Sequence, residues 1–304
     1  LLKARITKLE GDKEGAKNSI LAWLEEKRQV HAGSSNRSKL ASCLVQAGQG
    51  LEILEEQEDS RKLLKEAYDL DKRAGVNYIR SILLTDDQTT RNNAVRFMMD
   101  RLKTEASKES AVLLSLLIRK GDTDESLIDV AQKQLVEYSV SQKDDKKILQ
   151  SLADLWIWRS NESQAIETFR RIVQDRPNDV IALNNLAMLL ADSPTNSQEA
   201  LPLINRAIEL VGTKAALMDS KAYVLLRLGR YEEAISILSA LLSKNDSPSV
   251  RFHLYQAYLK SSQTQLANDL LSKIDLASLR KSPLTQADQQ ELQQIEKVIS
   301  KELQ

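Results

Sequence analysis

Apolar positions in the C-terminal half of the chain recur in steps of four and then three. Four segments carry a small alanine, an apolar residue four positions on and another three further: Ala165, Phe169, Ile172; Ala200, Ile204, Ala207; Ala234, Leu238, Leu241; and Ala267, Leu271, Ile274. The alanines are 35, 34 and 33 residues apart. Side chains at i, i+4 and i+7 share one helical face, and a small residue at the first lets a neighbouring helix approach closely. An amphipathic stretch precedes each segment: Leu149, Leu152, Ala153 and Trp156; Leu183, Leu186, Ala187 and Leu190; Met218, Ala222 and Leu225; Leu254, Tyr255 and Tyr258. Helix, short turn and helix at a fixed period predict stacked hairpins, each burying its apolar face against its neighbours.

These segments resemble tetratricopeptide repeats. The resemblance is carried by Leu-Arg-Leu-Gly-Arg-Tyr-Glu-Glu-Ala-Ile at 226–235, with Gly229 ending a first helix and Tyr231 and Ala234 opening a second, by Arg-Pro-Asn-Asp at 176–179 between repeats, and by Asn184, Asn185, Leu186 and Ala187 on a first helix. Departures are Leu149, Leu183, Met218 and Arg251 where the family has a first-helix Trp, and one extra residue around Ser193-Pro194-Thr195-Asn196. Pro202 falls in the first turn of its helix, where a missing backbone donor is tolerated. The resemblance implies an all-α fold, a right-handed superhelical solenoid of antiparallel helix hairpins with a C-terminal capping helix.

Residues 146–274 read as four repeats, 146–179, 180–214, 215–247 and 248–274. Residues 1–145 read as drifted versions of the same hairpin. The hallmark survives as Ala16 with Ile20 and Trp23, Leu64 with Tyr68, Ala94 with Met98, and Ala131 with Leu135, and 107–120 with 124–138 as another hairpin, for about eight helix pairs in all, the first truncated. In 275–304, after Pro283, Thr285 and Asp288 resemble a capping box, and Leu292, Ile295, Val298 and Ile299 form one apolar stripe, which predicts a helix covering the last hairpin.

Composition adds exclusions. Aromatic residues are 4% of the chain, with 9 Gly and 5 Pro, so helix formers dominate. Lys plus Arg and Asp plus Glu are 43 each and interspersed, which leaves no concentrated basic face for nucleic acid. No apolar run approaches the roughly 20 residues of a membrane span, so no membrane insertion is expected and the reading is a soluble protein, cytoplasmic or periplasmic. The chain starts Leu-Leu-Lys without an initiator Met and reads as a fragment, so a missing signal peptide carries no weight. Cys43, the single cysteine, reads as a small buried hydrophobe.

Candidate chemistry is sparse. His31 sits in a loop and His253 on a first helix, far apart in sequence, so neither a nucleophile-base pair nor a metal site is expected. There is no glycine-rich phosphate loop and no cofactor motif. The pairs Glu25-Glu26, Glu55-Glu56, Asp86-Asp87 and Glu232-Glu233 fall at helix ends and exposed faces, and Asn36-Arg-Ser and Asn161-Glu-Ser match a glycosylation pattern at near-chance frequency. Trp156 is expected inside its hairpin and Trp158 outside.

In the family the resemblance points to, first helices line a concave face. Carried over by position, that face would present Gln150 and Asp154, then Asn184, Asn185 and Met188, then Asp219 and Tyr223, then Phe252, His253 and Gln256. The same positions place Lys147, Ser151, Ala191, Ser220, Leu226 and Leu259 on that face as well. Asparagine pairs with both donors and acceptors of a peptide backbone, which suits an extended segment. Only Asn185 matches the basic clamp by which some members grip a terminal carboxylate. The reading is a protein-interaction scaffold without catalysis of its own, taking a protein or peptide partner; the alternative is an accessory helical region of a larger enzyme or secretion machine.

Overall fold

The computed structural model describes residues 11–33, 36–82, 87–105, 108–119, 123–142, 145–193, 196–244, 247–280, 282 and 284–302. Asp86, Ser107, Lys120, Pro194, Thr195 and Pro283, and the side chains of Val298 and Ile299, lie outside them. The described residues form helices α1 Lys13–Val30, α2 Arg37–Ile53, α3 Gln57–Leu70, α4 Gly75–Ile82, α5 Gln88–Glu105, α6 Lys108–Arg119, α7 Glu125–Ser141, α8 Lys146–Trp158, α9 Glu162–Asp175, α10 Val180–Asp192, α11 Ala200–Val211, α12 Ala215–Arg227, α13 Tyr231–Leu242, α14 Pro248–Lys260, α15 Thr264–Leu271, α16 Leu276–Arg280 and α17 Gln286–Glu302. Among the described residues there is no strand, and no helix is long and apolar enough to cross a membrane.

The chain divides into two compact units, 1–151 and 152–304. In the first, α1 packs on α2, α2 on α3 and α6 on α7. Its core joins Ala16, Ile20 and Leu24 of α1 to Leu44 and Leu51 of α2 and Ala67 of α3, with Cys43 only half-buried at the margin. Arg28 of α1 donates two hydrogen bonds to the Glu66 carboxylate of α3, at 2.5 and 2.6 Å.

In the second unit each helix from α9 to α14 packs on the next, and α10, α12 and α14 also pack on one another in succession. Capping starts two of these helices where the sequence supplies an acceptor: Asn161 Oδ1 accepts from the Gln164 N–H and Asp179 Oδ1 from the Ala182 N–H. The four periodic alanines, 165, 200, 234 and 267, are fully buried, as are Phe169, Ile172, Ile204 and Leu238. Each large apolar side chain of this stripe contributes about 1.5–3 kcal/mol on burial. Trp156 is buried and Trp158 exposed, as its helix phase predicts.

One turn recurs. Gly229, at φ +74°, donates its N–H to the Leu226 carbonyl while Arg230 donates to that of Leu225. This pair of bonds is the Schellman closure of a helix C-terminus, and it requires a left-handed residue. Glu55, Ser160 and Ser262 hold the same conformation at φ 66°, 56° and 65°, with the same two bonds: 55 to Glu52 and 56 to Leu51; 160 to Ile157 and 161 to Trp156; 262 to Leu259 and 263 to Tyr258. The hairpins α2–α3, α8–α9, α12–α13 and α14–α15 therefore share one turn, although only one of them carries the glycine that marks it in the sequence.

Candidate functional site

The site builds on α14, whose Pro248 lies in the first turn. Val250, Phe252, His253, Leu254, Tyr255, Gln256 and Ala257 are all buried, so this helix has no wet face along its middle turns. A helix flanked only by α12, α13 and α15 would keep one side open. That side is taken by the C-terminal segment. It consists of two helices, α16 and α17, in place of the single capping helix expected over 275–304.

Leu292 of α17 is buried, and Ile295 packs partly beside it, in a cluster with Phe252, Tyr255, Ala267, Ile274 and Leu279. To that extent α17 covers the last hairpin. Its N-terminal end does more. Thr285 and Asp288 close a reciprocal capping box: the Asp288 N–H donates to Thr285 Oγ1 at 3.1 Å and the Thr285 N–H to Asp288 Oδ2 at 3.2 Å. The same Asp288 carboxylate, almost wholly buried, accepts from Gln256 Nε2 at 2.9 Å and lies 3.4 Å from His253 Nε2. Gln256 Nε2 also donates to Glu291 Oε2 at 3.1 Å.

His253 bridges inward as well. Its Nδ1 is 2.7 Å from Asp219 Oδ1 on α12, so the imidazole stands between two carboxylates. Burial alone would push its pKa down; the charges and hydrogen bonds of Asp219 and Asp288 overcome that and hold it up at about 10. The ring is therefore an imidazolium at neutral pH and donates from both nitrogens. Burial works against the Asp288 carboxylate too, and the bond to His253 keeps its pKa below the ordinary aspartate value. Tyr223 on α12 donates to Asp192 Oδ1 at 2.6 Å, and its oxygen lies 2.8 Å from Thr285 Oγ1. Burial, and then the Asp288 and Asp192 charges, push the Tyr223 phenol up, while burial raises the Asp192 carboxyl, which Arg227 Nε contacts at 2.8 Å.

The residues assigned to an open concave face separate accordingly. Asn184, Asn185 and Met188 on α10, Gln150 and Asp154 on α8, and Asp219 on α12 are half-buried. Tyr223, Phe252, His253 and Gln256 are not open: all four are buried, because α17 and its leading turn fill the space in front of them. Five residues of this cluster, Asp192, Arg227, Thr285, Asp288 and Glu291, were not foreseen as parts of the site. One signal was available. Asp288, Leu292 and Ile295 follow the i, i+4, i+7 spacing, so a carboxylate sits on the stripe that α17 buries, and a charge there needs a buried partner.

No family model matches the chain. A TPR repeat-containing protein of Pseudomonas aeruginosa is 26% identical over 208 residues, 66% of this chain, and the chain spans about a third (34%) of that protein's length. A tetratricopeptide repeat protein from Parabacteroides merdae has a similar structure, with a TM-score of 0.52 at 13% identity, covering 84% of this chain and 96% of that one. Yeast Tom70 gives a TM-score of 0.52 at 16% identity, covering 96% of this chain and 60% of that one. At such identities the structural likenesses establish the fold. A helix pair that returns every 33 to 35 residues with a buried alanine in its second helix, and that turns repeatedly through one left-handed cap, is the unit those proteins are named for, and this chain has the tetratricopeptide-repeat fold.

Proposed function

We propose that the protein is an interaction scaffold, without catalysis of its own, that holds a peptide or protein segment against the first-helix face of the repeats in 146–274. The observation that carries this reading is that part of the face already holds a helix. Side chains of α12 and α14 bond Thr285, Asp288 and Glu291 of α17, the kind of side-chain capture by which a groove recognises a helical segment. Next along the face, α10 presents Asn184, Asn185 and Met188. Asn184 Oδ1 is buried without a hydrogen-bond partner among the described residues, an acceptor suited to a backbone N–H. Met188 supplies an adaptable apolar contact. Asp154 on α8 extends the same positions by register.

The test is site-specific photo-crosslinking in the native cell, with a photoreactive side chain at Met188 and, as the control, at Arg206 on the exposed side of α11. A discrete crosslinked protein from position 188 and none from 206 is expected. The same adducts from both positions, or none from either, sink the reading.

A further inference from the structure

Few of the described side chains of α17 are buried. Of its residues from Gln286 to Lys297 only Asp288 and Leu292 are buried, whereas α14 buries seven. Gln289, Gln290, Gln293, Gln294 and Lys297 face water. Leu292, the partly buried Ile295 and a set of polar bonds therefore hold residues 286–297, and a segment with so little buried apolar surface opens locally more readily than the array beneath it.

What α17 leaves behind when it opens is chemically one-sided. Gln256 Nε2 loses both of its acceptors, and His253 keeps Asp219 but loses the carboxylate on Nε2. Thr285 withdraws from the Tyr223 oxygen, and Phe252 loses Leu292. The vacated face is an apolar step beside two donors that α17 had bonded through carboxylates, one of them cationic.

We infer that this face of α12 and α14 takes, in place of α17, an acidic amphipathic helix from a partner protein, with a Ser or Thr N-cap, Asp at the third helical position, Glu at the sixth and a large aliphatic residue at the seventh. α17 is the pattern for that occupant, with Thr285, Asp288, Glu291 and Leu292 at those positions. A basic or purely apolar helix would leave His253 and Gln256 unpaired or repelled. The inference rests on the scaffold reading and adds the class of partner and its competitor, the chain's own C-terminal helix.

The probe is a fluorescein-labelled synthetic peptide of residues 284–302, titrated by anisotropy into the full chain and into the full chain carrying Leu292→Ala. Weakening the intramolecular competitor should make the variant bind about tenfold or more tighter than wild type. A peptide with Asp288→Asn and Glu291→Gln should bind the same variant about tenfold or more weaker than the native peptide. Equal affinity for the two chains, or for the two peptides, overturns the inference.

Hydrogen exchange on the wild-type chain supplies a measurement that does not depend on a variant folding. Saturating peptide should speed exchange of the 286–302 amides and leave those of α14 unchanged. If the 286–302 amides keep the protection of α14 at saturation, or if the peptide drives the chain into a dimer by exchanging α17 between copies, the proposal falls. Crosslinking at Met188 is independent of all these outcomes. If it persists while the peptide fails to bind, the scaffold reading stands and the acidic-helix partner does not.

Discussion

Glu55, Ser160 and Ser262 stand in left-handed backbone positions that glycine would take without strain. A side chain there costs about 1–2 kcal/mol, and glycine returns part of the gain, about 0.5–1 kcal/mol, as lost chain entropy. Ser160→Gly and Ser262→Gly are therefore expected to stabilise the chain by a few tenths to about 1 kcal/mol each, and Gly229→Ala to destabilise it by about 1 kcal/mol, read as shifts of the urea midpoint. Opposite signs would remove the shared-turn argument. His253 makes a second prediction at this scale. Its folded pKa of about 10 lies above its unfolded value of 6.5, so the folded chain binds the extra proton between them. The stabilisation is fully present below about pH 6.5 and is lost as pH rises through 10, with a slope approaching about 1.4 kcal/mol per pH unit. The groups facing the ring are Asp219 and Tyr223 from α12 and Asp288 from α17, with Asp192 and Glu291 one bond further out. Asp288 acts oppositely, contributing stability above the ordinary aspartate pKa that is lost as pH falls through its lower folded value. The wild-type minus His253→Gln difference in unfolding free energy should shrink between pH 7 and 10.5; a difference that is flat or grows refutes the bridged imidazolium.

Between elements, Gly48 shows why a helix tolerates a poor helix former. A Cβ placed there would sit 2.8 Å from Leu64 Cγ and 3.3 Å from the Ser60 carbonyl, so the glycine sets how closely α2 and α3 approach. Overpacking costs about 1–3 kcal/mol against about 1 kcal/mol of helix propensity gained, so Gly48→Ala should destabilise by about 1 kcal/mol. In a Leu64→Ala background the same change should become neutral or stabilising; a Gly48→Ala that stabilises the wild type contradicts the close-approach account. The sequence reveals second helices well, because Ala165, Ala200, Ala234 and Ala267 mark a local steric need that repeats. It reveals the N-terminal hairpins less sharply, since turns such as Glu55 use a residue that does not advertise its left-handed backbone. It misjudges the last groove positions for a different reason. On α14, Phe252 shares a cluster with Ala267 of α15 and His253 bonds Asp219 of α12, but what lies in front of His253 and Gln256 comes from more than thirty residues later, through bonds such as His253 to Asp288, which spans 35 positions. Six successive buried residues, 252–257, exceed what one amphipathic face requires and point to cover from another side.

Across the whole molecule, electrostatics divides into a surface part and a buried part, and the two respond to different perturbations. The 43 positive and 43 negative side chains balance, so the folded state carries little net self-repulsion for salt to relieve. Ion pairs that join successive helical layers, such as Lys108 with Asp145 and Arg170 with Glu199, are made by side chains with substantial exposure, and such pairs contribute about 0–1 kcal/mol each and are screened. Raising sodium chloride from about 0.02 M to about 0.5 M, where the screening length falls below about 5 Å, should therefore move the melting temperature by no more than about 2–3 °C. The Asp219, His253 and Asp288 chain lies out of water and is screened far less. Salt should consequently leave α17 seated, whereas high pH, by discharging His253, should loosen it. Thermal melts at low and high salt, each paired with hydrogen exchange of residues 286–302, separate the two effects. Loss of α17 protection on adding salt at neutral pH would mean that exposed charges hold it, and the buried cluster could no longer account for how the chain fills its own groove.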